Sequence, residues 1–146
     1  MRQALSDTEN VISTDPNDLL AHGYSEWSSV NVDVLPVAVA YPQSTEQVSV
    51  MAKICQKWKV PIVPFSGGSS LEAHTGAPFG GLSIDFTHMD KIIRFNPDDM
   101  DVVVQPGLCW TDLNEELASQ GSGLFFPVDP GIQNRTFASL YELMTT

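Results

Sequence analysis

Basic residues are scarce in this 146-residue chain: 7 Lys and Arg stand against 18 Asp and Glu, giving a formal net charge of -11. Between Gln3 and Ala52 there is no Lys or Arg at all, while Asp7, Glu9, Asp15, Asp18, Glu26, Asp33 and Glu46 all fall there. A nucleic-acid-binding surface needs a basic stripe to meet phosphates, so that class of partner is excluded. Residues 1–30 are too poor in Arg for an amphipathic transit peptide and lack the apolar run of a secretory signal, so no targeting segment is read there. Long apolar runs are missing as well. The stretches Leu35–Tyr41 and Val102–Val104 fall far short of the roughly 20 residues that a membrane-spanning helix requires, and no span is expected. Cysteine is limited to Cys55 and Cys109, far apart and without a CxxC pattern, which predicts two free buried thiols. His22, His74 and His88 lack metal-ligand spacing, so no metal site is expected.

What the chain does have is an ordinary globular composition, with 42% hydrophobic and 17% charged residues and no internal repeat or low-complexity linker. Residues 1–34 form a polar lead segment with the turn signal Asp15-Pro16-Asn17-Asp18, room for a short helix, and an aromatic patch of Tyr24 and Trp27. Leu35–Tyr41 is a short apolar run closed by Pro42, which suits a buried strand. Ser44 then serves as a helix N-cap with Gln47 three residues on, a capping box. Val48, Met51, Ala52, Cys55 and Trp58 recur at three- and four-residue steps to give one apolar face. Lys53, Lys57 and Lys59 sit towards the C-terminal end of that helix, where the macrodipole favours cations.

Val60–Phe65 reads as a second strand, so Leu35–Phe65 has the β-α-β pattern that makes a parallel pair with a right-handed crossover. Leu82–Phe86 alternates as a strand should. Ile92–Phe95 and Met100–Gln105 frame Asn96-Pro97-Asp98-Asp99 as a hairpin. Trp110, Leu113, Leu117 and Ala118 mark a second amphipathic helix ended by Gly121, and Leu124–Phe126 follows as another short strand. These elements predict an α+β fold, a small mixed sheet with two flanking helices.

The segment that could carry chemistry is Pro64-Phe65-Ser66-Gly67-Gly68-Ser69-Ser70-Leu71-Glu72, directly after a strand. Adjacent glycines permit positive φ and close approach, so successive N–H groups can converge on an anion, and Ser66, Ser69 and Ser70 add hydroxyl donors. That chemistry suits a diphosphate, although a plain glycine turn between strands has the same composition. No Lys follows the glycines, so this is not a Walker A loop, and the spacing is not that of a Rossmann turn. Glu115-Glu116 is a solvated helix face rather than a carboxylate pair, because adjacent helical residues point apart. Asp129, in Pro127-Val128-Asp129-Pro130-Gly131, is a turn former before it is a base.

The motifs LPVAVAYPQSTEQV, VPIVPFSGGSSLEAH, GGLSIDFTHMDKI, DMDVVVQPGLCWTDLNEELA and GSGLFFPVDPG stand in order through Leu35–Gly131. Together they resemble the N-terminal part of the FAD-linked oxidase family that includes vanillyl-alcohol oxidase and p-cresol methylhydroxylase. Within that family they are most similar to the D-lactate dehydrogenase (cytochrome) and glycolate oxidase branch, fungal type. The resemblance implies the first subdomain of a p-cresol methylhydroxylase-type FAD-binding domain over 35–131. It implies that Ser66, Gly67, Gly68, Ser69, Ser70 and Leu71 wrap the FAD pyrophosphate. Pro127, Asp129, Pro130 and Gly131 would begin a second cofactor-contacting loop near the ribityl chain and flavin ring. His74 matches a family histidine and is expected to make a polar loop contact. Ser69 stands where covalently flavinylated members carry His, which implies non-covalent FAD.

The same resemblance implies oxidation of a D-2-hydroxy acid such as D-lactate, electron delivery to cytochrome c, and a mitochondrial location. After Gly131, residues 132–146 depart from the family pattern, which lacks here its Ile-Gly-Gly element. That departure predicts a divergent tail produced by truncation, a frameshift or a retained intron, and a chain that holds no catalytic residue and is inactive alone. The alternatives are a stand-alone nucleotide-diphosphate binder and an acidic interaction module.

Overall fold

A computed structural model describes residues 11–127. Nine elements follow one another: β1 (Ile12–Ser13), α1 (Pro16–Ala21), β2 (Ala38–Ala40), α2 (Thr45–Trp58), β3 (Ile62–Phe65), β4 (Leu82–Asp85), β5 (Ile92–Asn96), β6 (Asp101–Val104) and α3 (Trp110–Ser119). They make a four-stranded mixed sheet in the order β1-β2-β4-β3 and a separate two-stranded sheet of β5 and β6. The strand expected at Leu82 is thus not an appendage to a β2–β3 pair. β2 and β3 run in the same direction, but β4 lies between them and pairs in parallel with both. The expected β-α-β unit therefore keeps its direction and loses its adjacency. The lead segment contributes β1, antiparallel to β2, and Val11 enters the core beside it.

α2 forms where the cap and the apolar spacing place it. Ser44 Oγ accepts from Gln47 N at 3.3 Å. The return bond differs from the expected box: Gln47 Oε1 accepts from Gln43 N at 2.7 Å, one residue before the cap. Met51 and Cys55, four residues apart, are fully buried. They pack with Leu82 and Ile84 of β4 and Ala40 of β2. Burial alone pushes the Cys55 thiol pKa up, which keeps it in the unreactive protonated form. Trp58 departs from the expected apolar face. It lies in the last turn, 69% exposed, with Lys57 Nζ 5.6 Å from its ring.

β4 is buried along its whole length. Its start demands close approach to the strand beside it. Gly81 has φ 97, and a Cβ there would stand 2.4 Å from the Pro61 carbonyl oxygen, so only glycine fits. The register pairs Ala38 and Ile62 with Leu82, and Val39 and Val63 with Ser83. One sheet face therefore seats α2, and the other carries Val39, Val63, Ser83, Phe65 and Asp85.

A second core lies between α3 and the β5–β6 hairpin. Leu108, Leu113 and Leu117 are buried there against Phe95, Val102 and Phe126. Leu124–Phe126, expected as a strand, forms none; two side chains bind its backbone: Leu124 N donates to Ser122 Oγ at 3.2 Å, Phe126 N donates to Asn114 Oδ1 at 2.6 Å, and Asn114 Nδ2 donates to the Phe126 carbonyl at 3.1 Å. An amide side chain has one acceptor and two donors, so it can stand in for a neighbouring strand at a single residue.

Met51→Ala removes the largest fully buried side chain of the first core. It is expected to lower stability by about 2–5 kcal/mol, read as a fall in the urea midpoint at unchanged slope. The same substitution at exposed Met100 is expected to leave the unfolding free energy within about 0.5 kcal/mol of the parent.

Candidate functional site

The parallel strands β3 and β4 end side by side, and the chain leaves both at the carboxyl end of the sheet, the edge at which open α/β sheets bind their ligands. From β3 it enters Ser66–Leu71. Gly67 and Gly68 both take left-handed backbone, with φ of 66 and 58. A Cβ on Gly68 would come within 2.9 Å of Phe65 Cζ, so the turn folds tightly over that ring. Two consecutive glycines at positive φ turn the chain sharply away from the strand, a backbone that residues with a Cβ rarely adopt.

The hydrogen bonds around the turn separate its structural groups from its open ones. Ser66 Oγ donates to the Pro106 carbonyl at 3.1 Å, which ties the turn to the loop leading into α3. Ser70 Oγ pairs with His74 Nδ1 at 2.7 Å and accepts from Glu72 N at 3.3 Å. His74 is exposed and makes the polar loop contact expected of it. The Leu71 carbonyl accepts from both N and Oγ of Ser29, and Ser28 Oγ accepts from Ala73 N, so the lead segment braces the far end of the turn. Among the described residues nothing accepts from the backbone N–H groups of Gly67, Gly68, Ser69, Ser70 and Leu71. Ser69 Oγ is buried and has no partner among them either.

An orphaned buried hydroxyl is costly unless an acceptor arrives, whereas the N–H groups of exposed Gly67 and Leu71 are open to solvent or to a ligand. No Lys or Arg occurs between Val60 and Asp90, so the turn offers neutral donors only. Of the expected second loop, Pro127 is described and exposed, beside Phe126 at the edge of the second core. Asp129, Pro130 and Gly131 lie outside the described residues.

Beneath the turn sits a group that the sequence does not reveal. His22, at the C-cap of α1, is buried, and its Nε2 lies 2.8 Å from Asp85 Oδ2 at the end of β4. Its Nδ1 lies 2.7 Å from the Asp18 carbonyl. Asp85 also accepts from the N–H and the hydroxyl of Thr87. Burial disfavours charge on the ring, but the hydrogen bonds to Asp85 and Asp18 and the two carboxylates outweigh it and hold the His22 pKa above 6.5. Burial likewise disfavours the Asp85 anion, yet His22 and Thr87 hold its pKa below 3.8. Sixty-three residues separate the two partners, a distance at which no local pattern could join them.

A raised histidine pKa stabilises below its unfolded value and loses that contribution as pH rises through the folded one. A depressed carboxylate does so above its unfolded value and loses it as pH falls through the folded one. The pair is thus expected to contribute fully at weakly acidic pH, between the unfolded values of its two partners. It fades on the alkaline side above pH 6.5 and on the acid side below pH 3.8. Asp85→Ala, which strands a buried imidazolium, is expected to cost about 3–5 kcal/mol near pH 6 in urea unfolding and distinctly less at alkaline pH.

The family described as FAD binding domain matches residues 36–139. The mitochondrial D-lactate dehydrogenase [cytochrome] of Arabidopsis thaliana is 43% identical over 123 residues, covering 84% of this chain and 21% of that protein. The Kluyveromyces lactis protein of the same name is 40% identical over 141 residues, covering 88% of this chain and 24% of that protein. Among solved structures, alkyldihydroxyacetonephosphate synthase superposes with a TM-score of 0.81 at 21% identity, over 94% of this chain and 30% of that one. p-Cresol methylhydroxylase with substrate bound superposes with a TM-score of 0.72 at 20% identity, over 89% and 25%. The chain therefore spans about a fifth to a quarter of the length of the curated relatives it matches. The fold is that of the p-cresol methylhydroxylase-type FAD-binding domain, and the chain belongs to the FAD binding domain family.

Proposed function

We propose that Ser66–Leu71 holds the pyrophosphate of non-covalently bound FAD, within a flavoprotein that oxidises a D-2-hydroxy acid such as D-lactate. One observation carries this reading: among the described residues, five backbone N–H groups and the buried Ser69 hydroxyl lack acceptors at a double left-handed glycine turn. Those donors match a pyrophosphate, which brings acceptor oxygens and no donor. Gly67 and Gly68 leave the backbone free to approach the anion. Ser69 supplies the hydroxyl, and Ser70, taken up by His74, shapes the turn. Because neutral dipoles replace cations, an anion bound here keeps its net charge.

Residues 35–131 act as the first FAD-binding subdomain, and Pro127, Asp129, Pro130 and Gly131 reach the ribityl side of the cofactor. When bound, FAD supplies the hydride acceptor for alcohol oxidation. The names of the relatives support a D-lactate-type substrate, a cytochrome acceptor and a mitochondrial setting for the parent activity. We read these 146 residues by themselves as holding FAD weakly and turning nothing over.

Flavin fluorescence quenching tests the reading. FAD is expected to bind, ADP to compete with it, and riboflavin, which lacks the pyrophosphate, to bind at least tenfold more weakly, a difference of about 1.4 kcal/mol. Ser69→Ala is expected to weaken FAD by a similar factor while raising the stability of the free chain by about 1 kcal/mol, because it deletes an unsatisfied buried hydroxyl. Equal affinity for riboflavin and FAD, or turnover of D-lactate with a dye acceptor by this chain alone, would contradict the proposal.

A further inference from the structure

Phe65 supports the glycine turn from below, and it rests in turn on His22. We propose that His22, clamped as an imidazolium between the Asp85 carboxylate and the Asp18 carbonyl, is a positioning residue for the phosphate-binding turn, passing its protonation state to Gly68 through the Phe65 ring. This inference rests on reading that turn as the pyrophosphate site.

The charge of the ring follows from its neighbours. Nε2 faces a carboxylate oxygen at 2.8 Å and Nδ1 a carbonyl oxygen at 2.7 Å, and neither of these oxygens has a proton to give. A neutral imidazole has one N–H, so one contact would set lone pair against lone pair, and the imidazolium alone donates to both. The ring then touches Phe65, with centroids 4.3 Å apart at an interplanar angle of 50°, and meets the edge of Tyr41 at 5.8 Å and 84°. Phe65 occupies the space into which a Gly68 side chain would project. One contiguous stack thus runs from Asp85 through His22 and Phe65 to the first residues of the turn.

The charged and titratable groups facing His22 favour its proton. α1 supplies Asp18, whose carboxylate also accepts from the Ser13 hydroxyl, and β4 supplies Asp85. Tyr41 follows β2, and its pKa is raised by burial and by those two carboxylates, so it stays neutral where His22 titrates. His88, its ring 5.9 Å from that of Tyr41, lines one cavity with Tyr41 and Asp18. When His22 loses its proton, one of its two anchors turns repulsive. The ring must then rotate or withdraw, and Phe65 loses the surface on which it rests.

The test follows the ring nitrogens of His22 and the amides of Gly68 and Ser69 by NMR across neutral and alkaline pH, on the full chain, with FAD affinity measured over the same range. Both ring nitrogens are expected to be protonated at neutral pH, with one transition above 6.5. The two amides should share its midpoint, and FAD affinity should fall at least tenfold through it. Asp85→Asn keeps the shape of the carboxylate and removes its charge, so it should move the His22 midpoint down and carry the Gly68 and Ser69 midpoints with it. A purely structural role would not produce that joint displacement. A neutral His22 at neutral pH, or amides that ignore its midpoint, overturns the proposal, and the parent chain alone decides this if the variant does not fold. FAD binding that is equally tight on both sides of the transition also overturns it. If FAD binds at no pH while the amides still follow His22, the cofactor reading of the turn fails and the coupling stands.

Discussion

The parallel pairing of β4 with strands on both its edges is the constraint on which the rest of the molecule depends. Leu82–Asp85 is four residues long, yet both faces and both edges are used. Leu82 and Ile84 seat α2, Gly81 lets the strand begin hard against Pro61, and Asp85 ends it with a carboxylate that anchors His22. Because β4 sits between β2 and β3, it fixes where β3 stops and so where the glycine turn begins. A parallel sheet gathers its strand ends on one side, and here that side gathers the glycine turn, the Asp85–Thr87 corner and the bracing residues of the lead segment.

The two small cores are joined at that same edge. Ser66 reaches across to the Pro106 carbonyl, just before the buried Leu108 that opens the second core. The turn is therefore held at its start by the α3 side of the molecule, at its end by Ser28 and Ser29, and from beneath by Phe65. Its free donors are placed by packing rather than by attraction to one another, which is the form that preorganisation takes in a binding site. The chain is strongly acidic, and the turn nonetheless offers an anion a set of dipoles with no cation among them. An anion site of this kind would discriminate by geometry, and long-range attraction would contribute little to it.

What could be read from the sequence was local. Ser44, the three- and four-residue apolar steps and the lysine-rich end announce α2 because helix formation is decided within a few residues. Asn96–Asp99 announces the hairpin for the same reason, and the glycine pair after Phe65 announces the turn. The insertion of β4 between β2 and β3 could not be read, since strand order is settled by pairing between distant segments. Asn114 acting as a strand for Phe126 escapes any periodicity, because a side chain replaces the backbone partner. His22 gave no signal at all. Its environment comes from Asp85, Phe65 and Tyr41, each on a different segment, and a lone histidine in a polar lead segment reads as solvated. The exposure of Trp58 shows the opposite error: periodicity extends a buried face to the end of a helix whose last turn has already left the sheet.

Under the proposed function, the backbone N–H groups of Gly67–Leu71 and the Ser69 hydroxyl, which have no acceptor among the described residues, would meet the pyrophosphate of FAD. Hydrogen exchange at single-amide resolution tests it most directly, with and without saturating FAD. Fast exchange of the Gly67, Gly68, Ser69, Ser70 and Leu71 amides is expected in the free chain, and strong protection of those same amides when FAD is added. Amides that are already protected without cofactor, or protection by FAD that falls on the β5–β6 hairpin and leaves the turn unchanged, would contradict it.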